Sequence, residues 1–403
     1  MAQRTPLHLG LIGFGCVGQG LHDVLQRTPG LKADIRHICV KHRDKPRTLP
    51  ADRFIHDPRI ILDDPEVNVV VELIDDADAA YTIVREALQR GKAVVTANKK
   101  MLAEHLQELL ALQAAHGTPL LYEAACCASI PIIRNLEEYY DNDLLGSIEG
   151  IVNGSTNYIL TRTAADGLSY AEALRTAQEL GYAESDPTLD TGGFDAKYKL
   201  TILLPHAFGL VVPPERIFHQ GIDALGELEL RYAKEKGRKV KLVAQAFKRD
   251  DGTVSAFVLP TLVGPEHKLF HVDDVFNGVI TRTCFADTQF FQGRGAGAHP
   301  TASAVLSDIS ALSYGYRYEY KKIGQAPATA LNDDVLLDVL LTHPKAVKDR
   351  VHGSFHGVTE TYANGHAGYI TGRIRLDRLR RLKQEVEGLS FVLLHVPEVA
   401  PNA

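Results

Sequence analysis

The segment LHLGLIGFGCVGQGLHDVL, residues 7–25, constrains the fold more than any other part of the chain. An apolar strand runs into Gly13, Gly15, Gly18 and Gly20 and then into a helix with Leu21, Val24 and Leu25 on one side, which sets GxGxxG in a strand–turn–helix context. Gly13 permits the tight turn, Gly15 lets the backbone approach a pyrophosphate without a Cβ in the way, and Gly18 allows close helix–strand packing. The helix N-terminus offers N–H donors to phosphates. Beyond it, β-like runs at 7–12, 35–40, 68–74, 93–96 and 119–124 alternate with helical runs such as 81–90 and 100–116. This alternation predicts an α/β doubly wound parallel sheet of the Rossmann type. Ligands of such sheets sit at the carboxyl ends of the strands, which places Ile74, Asp75, Thr96, Asn98, Lys99 and Glu123 near a cofactor crevice.

The end of the second strand bears on which nicotinamide cofactor is taken. An acidic residue about 20 positions beyond the glycines suits the ribose 2′-hydroxyl of NAD. Here the strand ends in Val40-Lys41-His42-Arg43, and Lys41 and Arg43 suit the 2′-phosphate of NADP through charge-assisted hydrogen bonds. NADP is expected, with NAD the alternative because Asp44 is close by.

At 403 residues the chain exceeds the usual limit of one core, so two or three domains are expected. With 45% hydrophobic residues and a formal charge of −6, it can bury large cores and has no general attraction for nucleic acid or anionic membrane. The basic run from Arg231 to Lys241 reads as a solvated helix surface. No apolar run approaches a membrane span, and the N-terminus leads into a strand without a signal peptide, so a cytoplasmic protein is expected. Five cysteines without a CxxC pair make neither a disulfide framework nor a zinc site. His267 with His271 and His352 with His356 have helical ligand spacing but lack the glutamate of HExxH, and read as no metal site.

After Glu123 the pattern changes. A loop AACCASIP precedes a helix at 132–140 and a polar tract at Asn153–Asn157. Strands at 239–246, 254–259 and 275–281, with helices around 171–180 and 196–210, predict an antiparallel sheet covered by helices, an α+β substrate and dimerisation domain. The last stretch reads strand–helix–strand–strand–helix–strand, a ferredoxin-like order. The expected organisation is a nucleotide domain at 1–125, a substrate domain at 126–290, a return segment at 291–325 and a small C-terminal domain at 331–403.

The segment GYAESDPTLDTGGFDAKYK, residues 181–199, packs Glu184, Asp186, Asp190, Asp195, Lys197 and Lys199 among glycine and proline. A carboxylate four residues before a lysine, Asp195 and Lys199, lies on one face of a helix that begins near Phe194. Such a pair can hold a proton-transfer group and its orienting partner; an ordinary exposed ion pair is the plainer reading.

GFGCVGQG, TANKK, YEAACCASIP, NGSTNYIL, the 181–199 segment and GRGAGAHPTASAVLSD occur in the order found in homoserine dehydrogenases, and the chain resembles that family over residues 7–320. The resemblance implies reversible oxidation of L-homoserine to L-aspartate 4-semialdehyde with NAD(P). It implies that Lys199 exchanges the proton with the substrate oxygen, that Asp195 stands beside the reacting hydroxyl, that Glu184 and Asp190 belong to the substrate site, and that Lys99 lies near nicotinamide and substrate. Cofactor contacts are implied at Gly13, Gly15, Cys16, Val17, Gly18, Thr96, Lys99, Gly181 and Gly297, beside the Lys41 and Arg43 cluster. A monovalent cation, sodium, is implied at Glu123 and the carbonyls of Cys126, Ala128 and Ile130; oxygen ligands suit such a hard cation. The resemblance also implies a homodimer or homotetramer. The C-terminal region resembles the ACT domain often attached to the family, with an amino-acid effector as the corresponding expectation.

Two departures stand out. Ala128-Ser129 replaces the family's usual Gly-Gly, so the cation loop is expected to be rearranged wherever positive φ is required. Asp75-Asp76 replaces another Gly-Gly, and two carboxylates near a phosphate would repel it. These departures motivate a non-catalytic nucleotide-binding regulator as a rival reading. A further rival is a semialdehyde dehydrogenase with Cys126 or Cys127 as nucleophile.

Overall fold

A computed structural model describes residues 5–140, 144–325 and 329–397. The chain packs as two compact units, Met1–Asp141 with Gly293–Lys321, and Asn142–Gln292 with Lys322–Ala403.

The first unit is built on six parallel strands: β1 (Leu7–Ile12), β2 (Ala33–Cys39), β3 (Phe54–Ile55), β4 (Val69–Glu72), β5 (Ala93–Thr96) and β6 (Leu120–Leu121). Their order, β3-β2-β1-β4-β5-β6, reverses at β1, which is the topological switch point of a doubly wound sheet. Val69 to Val71, Val94 and Val95 are fully buried because helices cover both faces. Ile12, Glu72 and Thr96 are in register, so β1, β4 and β5 end side by side. Local chemistry sets the helix starts there. Asp76 accepts from the Ala79 N–H at the head of helix Ala77–Gln89, and Asn98 accepts from the Met101 N–H at the head of helix Lys99–His116.

The second unit holds β7 (Leu145–Ile151), β8 (Phe218–His219), β9 (Lys239–Lys248), β10 (Val254–Val263), β11 (Phe276–Thr283), β12 (Asp287–Arg294), β13 (Leu336–Pro344), β14 (Gly357–Ala363), β15 (Ala367–Arg375) and β16 (Ser390–Leu393). They form one sheet in the order β12-β11-β7-β9-β10-β16-β13-β15-β14, with β8 beside β10. Helix Phe194–Phe208 lies against β9, β10 and β7, and every residue from Asp195 to Phe208 is buried. A helix enclosed on all sides must satisfy each polar side chain it carries, which gives Asp195 and Lys199 their special standing.

The C-terminal stretch has the expected βαββαβ order, with its strands arranged β16-β13-β15-β14. It does not stand apart. β16 runs parallel beside β10, and Leu341, Ile370 and Phe391 share one apolar cluster with Phe247, Phe257 and Leu259. Burial on both sides of that seam joins the expected substrate and C-terminal domains into one packed unit.

Other local expectations differ. The helix read at 132–140 is a single turn, Ile132–Arg134, followed by a π-turn at Asn135–Tyr139. Lys241 is not on a solvated helix surface: it lies on β9, 1% exposed, and donates to Asp273, Asn157 and the Val272 carbonyl. Burial pulls its ammonium down to about 8 against the opposing pull of Asp273. His267 caps a short turn and faces Glu149 at 3.2 Å.

Candidate active site

In the first unit, the glycine loop has the local geometry its sequence requires. Gly13 has φ +99, and a Cβ there would lie 2.4 Å from the Leu73 carbonyl oxygen. At Gly18 a Cβ would meet the Gly13 carbonyl at 2.4 Å. At Gly15 nothing lies within 4 Å, so the space before the helix is open. Helix Cys16–Gln26 has no side-chain cap and no acidic residue in its first turn. Its leading N–H groups, those of Cys16, Val17 and Gly18, thus form an electropositive cradle suited to a pyrophosphate. Lys41 and Arg43 are exposed on the loop after β2, where Arg47 donates to the carbonyls of His42 and Lys45 and lies over the Phe54 ring. Gly297, with φ +120, leads helix Ala298–Leu312.

The carboxyl ends of β4 and β5 are tied together by a residue absent from the expected site. Glu72 is fully buried and accepts from the Thr96 hydroxyl at 2.5 Å and the Ile74 N–H at 2.6 Å. Asn98 donates to the Ile74 carbonyl, and half-buried Lys99 opens the following helix. Burial pushes the Glu72 carboxyl up to about 7, opposed by the two hydrogen bonds and assisted by Asp75. A carboxyl raised in the fold binds its proton more tightly there than in the unfolded chain. Its contribution is therefore full below about 4.5 and is lost as pH rises toward about 7. The loss is on the order of 3 kcal/mol. Melting curves at pH 5 and pH 8 are expected to differ less for Glu72→Gln than for the wild type; parallel behaviour of the two proteins would show that Glu72 ionises as it does unfolded.

Asp75 and Asp76 differ in local role. The Asp76 carboxylate caps its helix, accepting from the Ala79 N–H, and it keeps its charge there beside Asp75. The Cys126–Ile130 loop places two non-glycine residues in the left-handed region. Cys127 has φ 56 and Ala128 has φ 41, whereas Ser129 is not in the left-handed region. Each such residue stores roughly 1–2 kcal/mol of strain. Ser129 donates through N–H and hydroxyl to the Arg294 carbonyl, which helps hold the loop. Glu123 is 2% exposed; its two carboxylate oxygens accept from the N–H groups of Ile133 and Arg134, each at 2.9 Å. Its own N–H donates to Asp308, which also accepts from Arg134. Burial, with Asp308 adding, pushes the Glu123 carboxyl up to about 8. Cys126 and Cys127 are 0% and 1% exposed, which removes the accessible thiol that the cysteine mechanism requires.

In the second unit, the Asp195–Lys199 end of the 181–199 segment forms a buried cluster and not an exposed ion pair. Lys199 Nζ lies 2.8 Å from Asp195 Oδ2 and donates to the Val152 carbonyl at 2.7 Å; the two residues are 7% and 3% exposed. Asn153 Nδ2 donates to Asp195 Oδ2 at 2.8 Å and to Asp190 Oδ1 at 2.7 Å. The Oδ1 of Asn153 caps helix Gly154–Ala165 by accepting from the Thr156 N–H. One asparagine thus starts a helix with one end and aims two carboxylates with the other. Its sequence signal was the capping pattern Asn-Gly-Ser-Thr. Glu184 and Gly181 lie on the exposed loop after helix Tyr170–Glu179, outside this cluster, with the loop anchored by Gln178 on the Glu184 carbonyl and Ser155 on the Tyr182 carbonyl. Among the described residues no helix is long and apolar enough to cross a membrane, and no group of three or more His, Cys, Asp and Glu is placed to hold a metal.

Comparison with known proteins agrees with this arrangement of motifs. Residues 13–123 match the model of the homoserine dehydrogenase NAD-binding domain, and residues 131–310 match the homoserine dehydrogenase model. The Synechocystis homoserine dehydrogenase is 39% identical over 311 residues, 75% of this chain and 72% of that protein. The Bacillus subtilis homoserine dehydrogenase is 34% identical over 376 residues, 89% of this chain and 85% of that protein. A crystal structure of a homoserine dehydrogenase from Thiobacillus denitrificans superposes with a TM-score of 0.85 at 29% identity, covering 97% of this chain and 98% of that one. By sequence and by fold, the chain belongs to the homoserine dehydrogenase family.

Proposed function

We propose that this chain catalyses the reversible, nicotinamide-dependent interconversion of L-homoserine and L-aspartate 4-semialdehyde, with Lys199 and Asp195 as the proton-handling pair. The observation that carries the reading is the buried Lys199–Asp195 contact on the enclosed helix, aimed by Asn153. The nicotinamide, when bound, supplies the hydride donor or acceptor. In oxidation, loss of hydride leaves positive character at the carbinol carbon, so the hydroxyl proton must leave in step, and the Lys199–Asp195 pair receives it. In reduction the ammonium polarises the aldehyde oxygen and returns the proton. Asp190, held by the same asparagine, and Glu184 complete the substrate half of the proposal, with Glu184 on the substrate amino group.

The cofactor contacts belong to the same reading. The uncapped N–H groups of Cys16, Val17 and Gly18, opened by Gly13 and Gly15, take the pyrophosphate. Thr96, Lys99, Gly181 and Gly297 serve the nicotinamide end. Lys41 and Arg43 take the 2′-phosphate, which makes NADP the preferred cofactor. A monovalent cation at Glu123 and the carbonyls of Cys126, Ala128 and Ile130 is part of the proposal on donor chemistry, since a hard cation takes oxygen ligands. A homodimeric or homotetrameric assembly and an amino-acid effector are further parts of the proposal.

The test is absorbance at the nicotinamide band with L-homoserine and either NAD or NADP. Reduction of both is expected, with the higher kcat/KM for NADP. Lys41→Ala combined with Arg43→Ala is expected to lower kcat/KM for NADP by about tenfold or more while leaving NAD little changed, since each lost charge-assisted bond is worth roughly 1.5–3 kcal/mol. Equal losses with both cofactors would assign the 2′-phosphate elsewhere, and no reduction with either would overturn the activity.

A further inference from the structure

The strip of chain from Arg216 to Ile222 is held from two sides within the second unit. On one side is the C-terminal region. Arg380, on helix Leu376–Glu385, donates to the Arg216 carbonyl at 2.7 Å while paired with Asp333. One turn further on, Lys383 donates to the His219 carbonyl at 2.7 Å, and Gln220 Nε2 donates to the carbonyl of Phe391 on β16 at 3.3 Å. On the other side is the start of the enclosed helix. The Ile222 N–H donates to the Thr191 carbonyl at 2.7 Å. A Cβ at Gly221 would lie 1.9 Å from the Thr191 oxygen and 2.4 Å from the carbonyl carbon of Gly192. Gly193, with φ +81, faces the Gln220 oxygen in turn, and the rings of Phe194 and His219 meet edge to face at 4.7 Å.

The order of these contacts matters. Thr191–Gly193 is the short link between Asp190 and the first turn of the helix that carries Asp195 and Lys199. The strip meets that link backbone against backbone, with no side chain between them to absorb a displacement. Its other edge is gripped at main-chain carbonyls by long cationic side chains of the C-terminal region. Two peptide layers thus lie between helix Leu376–Glu385 and the carboxylates and lysine of the substrate half.

We infer that Lys383 and Arg380 are positioning residues for the homoserine reaction: they hold the strip 216–222, which in turn sets the pose of Asp190, Asp195 and Lys199. The inference rests on the assignment of that cluster as the substrate half. It also gives the C-terminal region a direct grip on substrate handling, which a passive appendage would not have.

The test uses the full chain. Lys383→Met is expected to raise KM for L-homoserine and lower kcat, with a combined loss in kcat/KM of about ten- to a hundredfold, the penalty for misplacing reacting groups by a fraction of an ångström to an ångström. The KM for cofactor and the melting temperature stay at the wild-type values, and Lys383→Arg, which keeps the donor, recovers most of the loss. Amide hydrogen exchange across 188–200 is expected to quicken in Lys383→Met. Unchanged kcat and KM for homoserine overturn the inference, and so does an equal rise of both KM values together with a lower melting temperature, which marks general loosening. Should Lys383→Met fail to fold, Lys383→Ala, which also lacks the donor, is judged by the same criteria. Lys199→Ala separates the two ideas: wild-type turnover there fails the site assignment, whereas an inactive Lys199→Ala beside an unaffected Lys383→Met or Lys383→Ala overturns the positioning role alone.

Discussion

Lys199→Ala is expected to lower kcat by about 10²–10⁴ while leaving cofactor affinity unchanged, the range found when a positioned proton-transfer group is removed. Lys199 sits on a helix buried from Asp195 to Phe208, so its ammonium is held in place by Asp195 and the Val152 carbonyl and not by solvent. Deleting it removes the group that gives and takes the proton. It also leaves Asp195 with Asn153 but without its cation. Losing one partner of a buried pair costs roughly 3–5 kcal/mol, so some loss of stability accompanies the loss of rate. The two effects are separated by titrating cofactor binding, which counts folded protein, and scaling turnover to it. Undiminished turnover per folded molecule would remove Lys199 from the reaction and return the pair to a structural role.

The other large effect concerns two glycines two positions apart that are expected to fail in different ways. Gly13→Ala places a side chain at φ +99 and drives its Cβ to 2.4 Å from the Leu73 oxygen. Left-handed strain and overpacking together cost about 2–5 kcal/mol, and cofactor affinity falls because the loop itself moves. Gly15→Ala has an ordinary backbone angle, φ −83, and open space around the new methyl. Its melting temperature is expected to stay at the wild-type value or rise slightly. Its cofactor Kd is nonetheless expected to rise by about tenfold or more, since the methyl occupies the path of the pyrophosphate. Calorimetry of binding and of unfolding on the two variants checks the contrast. If Gly15→Ala bound cofactor as tightly as the wild type, the open space before the helix would not be the pyrophosphate seat.

The nucleotide half was legible because its logic is local. A strand, a turn with positive φ and a helix N-terminus involve close neighbours in sequence, and glycine placement reports each directly. The spacing of Asp195 and Lys199 was equally legible, yet spacing alone favoured an exposed ion pair. What reversed it was the enclosure of the helix by β7, β9 and β10, strands that lie far from it in sequence on either side. Asp76 shows the same limit from the other direction. A carboxylate read for its charge toward a phosphate also starts a helix, by accepting from the Ala79 N–H three residues on. Ala128 was read as a substitution that bears on its loop, and the residue sits in the left-handed region at a cost in strain. Glu72 and Asn153 went unread as site residues. In sequence Glu72 is a lone acid closing an apolar strand, and Asn153 has the pattern of an ordinary helix cap. The significance of each comes from partners 24 and 37–42 positions away.

The sequence by itself determined the parallel nucleotide sheet, the helix beginning at Phe194, the βαββαβ order of the C-terminus and the family to which the chain belongs. These follow from periodicity, turn chemistry and motif order, all of which are written in consecutive residues. Only the tertiary structure decided that Lys199 and Asp195 are buried, that Asn153 joins them to Asp190, that Glu72 fastens two strand ends together, and that the C-terminal strands share one sheet and one core with the substrate half. The physical reason is that burial and charge pairing depend on which distant surfaces exclude water from a group. That is a property of the packed chain, which local spacing does not encode.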